Sequence, residues 1–228
     1  MGKRGPKPKG KVKIKWSANF AYAIGLLATD GSLSKDKYHI CFTSKDKEQI
    51  DNFKKCLNIR RIKIGINFGK DKIHFAYRSQ FGDVSFYKFL LSIGLTPNKS
   101  KTIGKILVRQ NYFFDFLRGC FDGDGSFYSY WDKRWRSSYM FYLTFNSASY
   151  AHILWLREEI YKRLSVDGHI SKSKNKGSIF SLRYAKKEAV EIIKKMYYNQ
   201  QVVSLSRKRL KIKKVLTIEI KQQKEYIK

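Results

Sequence analysis

Two aspartates carry the chemistry that this sequence offers. Asp30 closes the string Tyr22-Ala23-Ile24-Gly25-Leu26-Leu27-Ala28-Thr29-Asp30-Gly31, and Asp124 closes Phe116-Leu117-Arg118-Gly119-Cys120-Phe121-Asp122-Gly123-Asp124-Gly125. Each string is apolar, has a glycine in its middle and stops at an Asp-Gly pair. Gly25 and Gly119, Asp30 and Asp124, and Gly31 and Gly125 all stand 94 residues apart. One Asp-Gly pair after a helix is an ordinary turn or cap. Two at one spacing predict a pair of carboxylates brought together across an internal two-fold axis. Hydrolysis of a phosphodiester at neutral pH needs a divalent ion to activate water and stabilise the leaving oxygen, and carboxylates are the natural ligands of hard Mg²⁺. Two such carboxylates suit the two strands of a duplex, one each.

The elements that must position these acids are legible around them. Both strings are apolar on nearly every side, which predicts helices buried against one another. Ser17 is placed to cap the first helix and Asn111, again 94 residues on, to cap the second. Ala21, Gly25 and Ala28 form a narrow strip on one helix, and Gly119 answers it on the other, so that the two backbones approach closely. A glycine inside a helix costs about 1 kcal/mol, so two at matched positions imply a packing reason.

A strand-like pair follows each helix: Ser32–Leu33 with Tyr38–Thr43, and Ser126–Trp131 with Tyr139–Asn146. Then come a helical pattern (Lys47–Leu57; Tyr150–Leu164), a hairpin (Ile62–Phe68 with Lys72–Ser79; His169–Lys172 with Ser178–Tyr184) and a last helix (Asp83–Ile93; Lys187–Asn199). Ser44 matches Ser147, Arg78 matches Arg183 and Lys99 matches Arg207, at offsets that drift slowly upward. The reading is an α/β (α+β) chain of tandem duplicated αββαββα units: a basic arm at 1–15, a first half at 16–108 and a second at 109–228. The motif helices lie at the pseudo-two-fold interface, and the internal symmetry predicts a monomer.

Charge names the partner. The chain has 48 Lys and Arg against 18 Asp and Glu, a net charge of +30, which points to a polyanion and above all to nucleic acid. No run reaches the roughly 18 apolar residues of a membrane span, and the basic start leads into no secretory signal, so neither a membrane nor secretion is expected. Cys41, Cys56 and Cys120 are odd in number and lack CxxC spacing, which points to reduced thiols in an intracellular, reducing compartment. The Asp-Gly-Asp-Gly-Ser string at 122–126 evokes a calcium loop, but Phe127 and Lys133 stand where that loop needs glycine and glutamate.

With both copies in hand, the motifs resemble those of the LAGLIDADG homing endonucleases, in the type that carries two motifs on one chain. The resemblance covers about residues 16 to 215; Gly94-Leu95-Thr96-Pro97-Asn98-Lys99-Ser100 and Leu205-Ser206-Arg207-Lys208 are similar to the family's half-ends. It implies a sequence-specific endonuclease that cuts each strand of double-stranded DNA once and leaves short 3′ overhangs. By that resemblance Asp30 and Asp124 are the catalytic acids and Mg²⁺ ligands, Mn²⁺ substitutes, and the carbonyls of Thr29 and Gly123 add ligands. Asp122 lacks an acidic counterpart, Ala28 standing there, and is read as structural. The family's basic residue near the cleavage centre matches Arg78 and Arg183, which would stabilise developing negative charge.

The two antiparallel sheets would form a saddle on the major groove, where outward residues of β-ribbons read base edges. Ser44, Ser147 and Lys45 are expected near the DNA; Tyr128, Tyr130, Arg134 and Arg136 are the readers on the longer second hairpin, Lys35 and Lys37 on the shorter first one. Lys99, Arg207 and Lys208 are assigned to DNA phosphates. Unequal hairpins predict an asymmetric target, and the excess of lysine a steep salt dependence. Two other functions stay open: an RNA maturase acting on its own intron RNA, and a DNA-binding regulator without catalysis.

Overall fold

A computed structural model describes residues 10–69, 73–134, 139–173 and 179–226. The elements run α1 (Ala18–Asp30), β1 (Gly31–Leu33), β2 (His39–Ser44), α2 (Lys47–Cys56), β3 (Ile64–Phe68), β4 (Phe75–Gly82) and α3 (Val84–Ser92). The same order recurs in α4 (Phe113–Asp124), β5 (Ser126–Trp131), β6 (Tyr139–Ser147), α5 (Tyr150–Leu164), β7 (His169–Lys172), β8 (Phe180–Ala185) and α6 (Lys186–Met196). A further helix, α7 (Ser206–Tyr226), ends the described chain. Sequence reading missed it because its apolar residues are diluted by eight Lys and Arg; Ile212 and Val215 are its buried apolar side chains among the described residues.

The strands form two antiparallel four-stranded sheets with the same topology, β1-β2-β4-β3 and β5-β6-β8-β7. Alternation sets the two faces of each sheet. Ile40, Phe42 and Phe81 point inward in the first, and Phe127, Phe141, Leu143, Phe145 and Leu182 in the second; all are buried. The opposite face carries Ser32, Cys41, Thr43, Arg78 and Gln80 in one sheet and Ser126, Tyr128, Tyr130, Asn146, Ser181 and Arg183 in the other. No helix among the described residues is long and apolar enough to cross a membrane.

The helix-capping expectation holds for one helix only. Ser17 Oγ accepts from Phe20 N at 3.1 Å. Asn111 instead lies in a short 3-10 turn at Gln110–Tyr112, and α4 starts after it without a side-chain cap. The Asp-Gly ends are not left-handed caps either. Gly31 and Gly125 are extended, at φ −80° and −73°, and the chain runs straight from helix into strand. Glycine is required there by space: a Cβ on Gly31 would meet Leu27 O at 2.5 Å, and one on Gly125 would meet Phe121 O at 2.6 Å.

Candidate acid-pair site between the motif helices

α1 and α4 cross in contact at their glycines. A Cβ on Gly25 would stand 2.2 Å from Phe116 O, and one on Gly119 would stand 2.2 Å from Tyr22 O. The lower ends of the helices interlock as closely: a Cβ on Gly123 would fall 2.0 Å from Thr29 Oγ1 and 2.9 Å from Asp30 Oδ2. The carboxylate that ends α1 therefore lies against the last turn of α4. Asp124, which ends that turn, lines a cleft with Thr29, Lys99, Asn146 and Ser147.

Like charges held this close in partial burial are costly. Burial first, then the neighbouring Asp124 charge, pushes the Asp30 carboxyl up to about 6. Asp124 is raised as well, by burial. Two lysines oppose the rise at both acids, Lys99 and Lys208. Lys99 Nζ donates to Thr29 O at 2.8 Å. Lys208 Nζ donates to four carbonyls: Phe121 at 2.6 Å, Asp122 at 2.9 Å, Gly123 at 3.1 Å and Gly125 at 2.6 Å. Burial lowers Lys208 to about 8 despite the acids around it.

These contacts revise several expectations. Lys99 and Lys208, assigned from sequence to DNA phosphates, are buried, at 6% and 9% exposure, and hold the ends of the motif helices. The structural partner of Lys99 is Lys208, one residue beyond the expected Arg207, since it is Lys208 whose ammonium meets the carbonyls at the end of α4. Arg207 turns instead to Asp46, at 2.7 Å from Nη2 to Oδ2. The carbonyls of Thr29 and Gly123, expected as metal ligands, have lysine ammonium partners.

Arg78 and Arg183 are also not equivalent. Ser32 pairs Cys41 and Ser126 pairs Thr144, so Cys41 corresponds to Thr144. Gln80 stands opposite Cys41, and Arg183 opposite Thr144; Arg78 therefore corresponds to Ser181. The mismatch is two residues, which preserves the face but moves the cation one step along the strand. Arg78 bonds to Gln80 and to Asn67 Oδ1, the latter at 3.4 Å. Arg183 lies over the rings of Tyr128 and Tyr142, 5.8 and 5.5 Å from their centroids.

Thr43 and Asn146 occupy corresponding positions, and Asn146 is the residue that sequence reading overlooked. Its Nδ2 donates to Asp124 O at 2.8 Å while its Oδ1 accepts from Ser181 Oγ at 2.7 Å. Ser44 and Ser147 shape the turns before α2 and α5: Ser44 Oγ accepts from Asp46 N and donates to Gln49 Oε1, and Ser147 Oγ accepts from Ser149 N. Ser147 lines the cleft, whereas Ser44 does not, and both hydroxyls are engaged in these turns. Lys45, Lys35 and Lys37 are exposed. Tyr130 is exposed and stacks with Tyr142 on the outward face, beside Tyr128. Trp131 lies on the other face against Tyr139. Arg134 pairs with Asp132, and Arg136 lies outside the described residues, as does the arm up to residue 9.

Asp122 is enclosed. Its Oδ2 accepts from Tyr22 Oη at 2.8 Å and from Leu205 N at 2.7 Å, and burial raises it to about 6. It ties α4 to α1 and to the segment that precedes α7. Arg118, wholly buried, likewise fastens α4 to the chain at Met196 and Val203 and pairs with Asp115. The two halves exchange end segments: Ser149, just before α5, and His152 of α5 bond to the carbonyls of Ile103 and Gly104, and Glu48 and Asn52 of α2 bond to Ser206 and Ser204.

No family model matches this sequence, and no curated protein does. Solved structures do. Full-length DUF199/WhiA from Thermatoga maritima superposes with a TM-score of 0.56 at 13% identity, over 92% of this chain and 66% of that one. Mesophilic variants of the homing endonuclease I-DmoI match with a TM-score of 0.55 at 17% identity, over 80% and 97%. The I-LtrWI LAGLIDADG homing endonuclease bound to target DNA gives 0.55 at 12% identity, over 90% and 91%. The chain thus has the LAGLIDADG fold, with both motifs on one polypeptide. The same fold serves two homing endonucleases and WhiA, so fold by itself leaves the activity to the site.

Proposed function

We propose that this protein is a divalent-metal-dependent endonuclease that cuts both strands of a long, asymmetric DNA site, leaving short 3′ overhangs, and acts in intron homing as a monomer. The single observation that carries this reading is the acid pair: two carboxylates at matched helix ends that pack against each other, both raised in pKa by burial and Asp30 further by the Asp124 charge. A protein that only coats DNA has no use for a buried pair of like charges. Among the described residues no cluster of three or more His, Cys, Asp or Glu exists, so the donor set is the two carboxylates themselves, completed by water. That suits Mg²⁺, which keeps several waters and takes one or two carboxylates, and Mn²⁺ in its place.

Bound there, Mg²⁺ supplies an activated water and charge neutralisation at the leaving oxygen. The protein's part is geometric and electrostatic. Lys99 and Lys208 fix the carbonyl ends of α1 and α4 and keep positive charge beneath the acids. Asn146 holds the Asp124 backbone from the second sheet. Arg78 and Arg183, on the outward faces, bind phosphates on either side of the acids and so hold the duplex while it is cut. Tyr128 and Tyr130 on the outward face, with the exposed Lys35, Lys37 and Lys45 beside the strand ends of the first sheet, suit base and phosphate contacts.

The test is cleavage of a fragmented genomic library with Mg²⁺, comparing the wild type with the Asp30→Asn/Asp124→Asn double variant. The expected result is double-strand breaks at one site by the wild type alone, with binding kept by the variant. Binding by both without cutting by either would replace this reading with a DNA-binding regulator. Binding of both to an intron RNA in preference to DNA would replace it with a maturase.

A further inference from the structure

A group of cations that the acid-pair site does not use lies at the far end of the first half. β1 leaves the acids at Gly31, the chain turns at residues 34–38, and β2 returns; His39 and its partner Gly82 therefore mark the end of these strands away from Asp30. Asp83 follows directly. Its carboxylate accepts from Lys11 N at 2.6 Å, Val12 N at 2.9 Å and Phe86 N at 3.0 Å, and Val12 is buried. One side chain thus caps α3 and pins the chain at 11–12 across the end of the sheet.

Lys11 is in this way shared between two adjoining grooves. One is lined by Gly10, Tyr38, His39 and Gly82; the other by Asn58, Ile59, Arg60 and Arg61. Asn58, left-handed at φ 56°, turns the chain out of α2 into that second groove. Lys35 and Lys37 stand on the β1–β2 turn, whose Tyr38 lines the first groove. All five cations are exposed, and none forms an ion pair among the described residues. Together they make a basic track that starts at the outward face of the first sheet and continues around its end.

Arg60 and Arg61 have no counterpart in the second half. Its corresponding α5–β7 segment, 165–168, carries Asp167 and no cation, and Asp167 is paired with Arg157 at 2.7 Å. The cations of the α2–β3 segment are therefore a property of one half.

We infer that the track formed by Lys11, Arg60 and Arg61 binds the sugar–phosphate backbone of duplex DNA beyond the bases that the first sheet covers, so that the footprint is longer on the first-half side. The inference rests on the DNA-binding part of the function proposed above, not on cutting. Asp83 is its positioning residue, since it holds Lys11 against the groove through the backbone, leaving the ammonium free. Phosphate contacts of this kind add affinity without reading sequence.

The experiment is equilibrium binding, in Ca²⁺, of a core duplex selected from a randomised library by the wild-type protein, and of the same duplex extended by about one helical turn on one side or the other. The variant is Lys11→Gln/Arg60→Gln/Arg61→Gln, all at exposed positions, with its thermal midpoint as the folding control. The wild type is expected to bind the duplex extended on the first-half side on the order of tenfold more tightly than the core, and the variant to lose that gain. The salt slope should fall by about 2.7, at about 0.9 per phosphate lost. Extension on the second-half side should change nothing. Equal gain from both extensions, a gain retained by the variant, or an affinity loss confined to RNA would overturn the track. Cutting of the core duplex in Mg²⁺ is scored separately: its absence, with extension-dependent binding intact, would remove the nuclease reading and leave the track standing.

Discussion

Replacing Asp30 by Asn should make the protein more stable and inactive at once. The carboxyl moves from 3.8 to about 6 on folding, through burial and the Asp124 charge. At about 1.4 kcal/mol per pKa unit, that places the ionised side chain about 3 kcal/mol out of favour in the folded state. The native state binds the extra proton, so stability is full below the unfolded carboxyl value and falls as pH rises from about 4 through about 6. Above that range the wild type carries the whole cost and the Asn variant none. Some of it returns through solvent at the open side of the cleft and through lost attraction to Lys99 and Lys208, leaving a gain of about 1–3 kcal/mol near neutral pH. For a chain of this size that is a rise in thermal midpoint of roughly 3–10 °C. The assay is urea unfolding of both proteins near pH 7.5 and near pH 4. The curves should separate at the higher pH and converge at the lower. Added Mg²⁺ should stabilise the wild type, by about 2.7 kcal/mol at a hundredfold excess over its Kd, and leave the variant unmoved. A variant less stable than the wild type near pH 7.5, or stabilised equally by Mg²⁺, would refute the account of a repelling, metal-holding pair.

Gly25→Ala should destabilise the fold by about 3 kcal/mol or more, because its Cβ would press on the Phe116 carbonyl rather than on a yielding side chain, and chemical denaturation reads this directly. Asn146→Ala removes one bond to the Asp124 backbone, so kcat on a selected duplex should fall about fivefold with Kd unchanged. Asp122→Asn should keep its bond from Leu205 and retain cutting under conditions where Asp124→Asn is inert; loss of cutting would give Asp122 a role in catalysis. Lys208→Met should cost about 2 kcal/mol or more in stability, since four carbonyls lose their donor, and should reduce cutting as well.

The duplication was readable because it repeats residue types that have few substitutes. A glycine where two backbones touch and an acid that ends each motif helix are hard to replace by other residue types, so Gly25 with Gly119 and Asp30 with Asp124 stand out at one spacing. The element order was readable too, since α5, β5 and β7 follow clear apolar periods between turn signals, and their ends match the expectation to the residue. Pairing across the halves was less accessible. Offsets read along the chain matched Arg78 with Arg183 and Lys99 with Arg207, whereas hydrogen-bond register matches Arg78 with Ser181, and the carbonyls match Lys99 with Lys208. A slip of one or two residues leaves composition and periodicity almost unchanged, so the sequence pattern does not resist it.

Sequence by itself determined the two-fold plan, the acids at its centre and the excess of positive charge, because each depends on residue type and count along the chain. Only the tertiary structure decided which cations serve the acids and which face outward. A lysine at the end of one segment becomes a buried clamp or a phosphate contact according to what packs beside it. Lys99 and Lys208 are clamps because the segments after α3 and α6 pass beneath the crossing helices, where unpaired carbonyls need donors. Lys11, Arg60 and Arg61 become one surface only when Asp83 draws distant stretches of chain together. Those neighbours are separated by tens of residues in sequence, and nothing local to any of them states the contact.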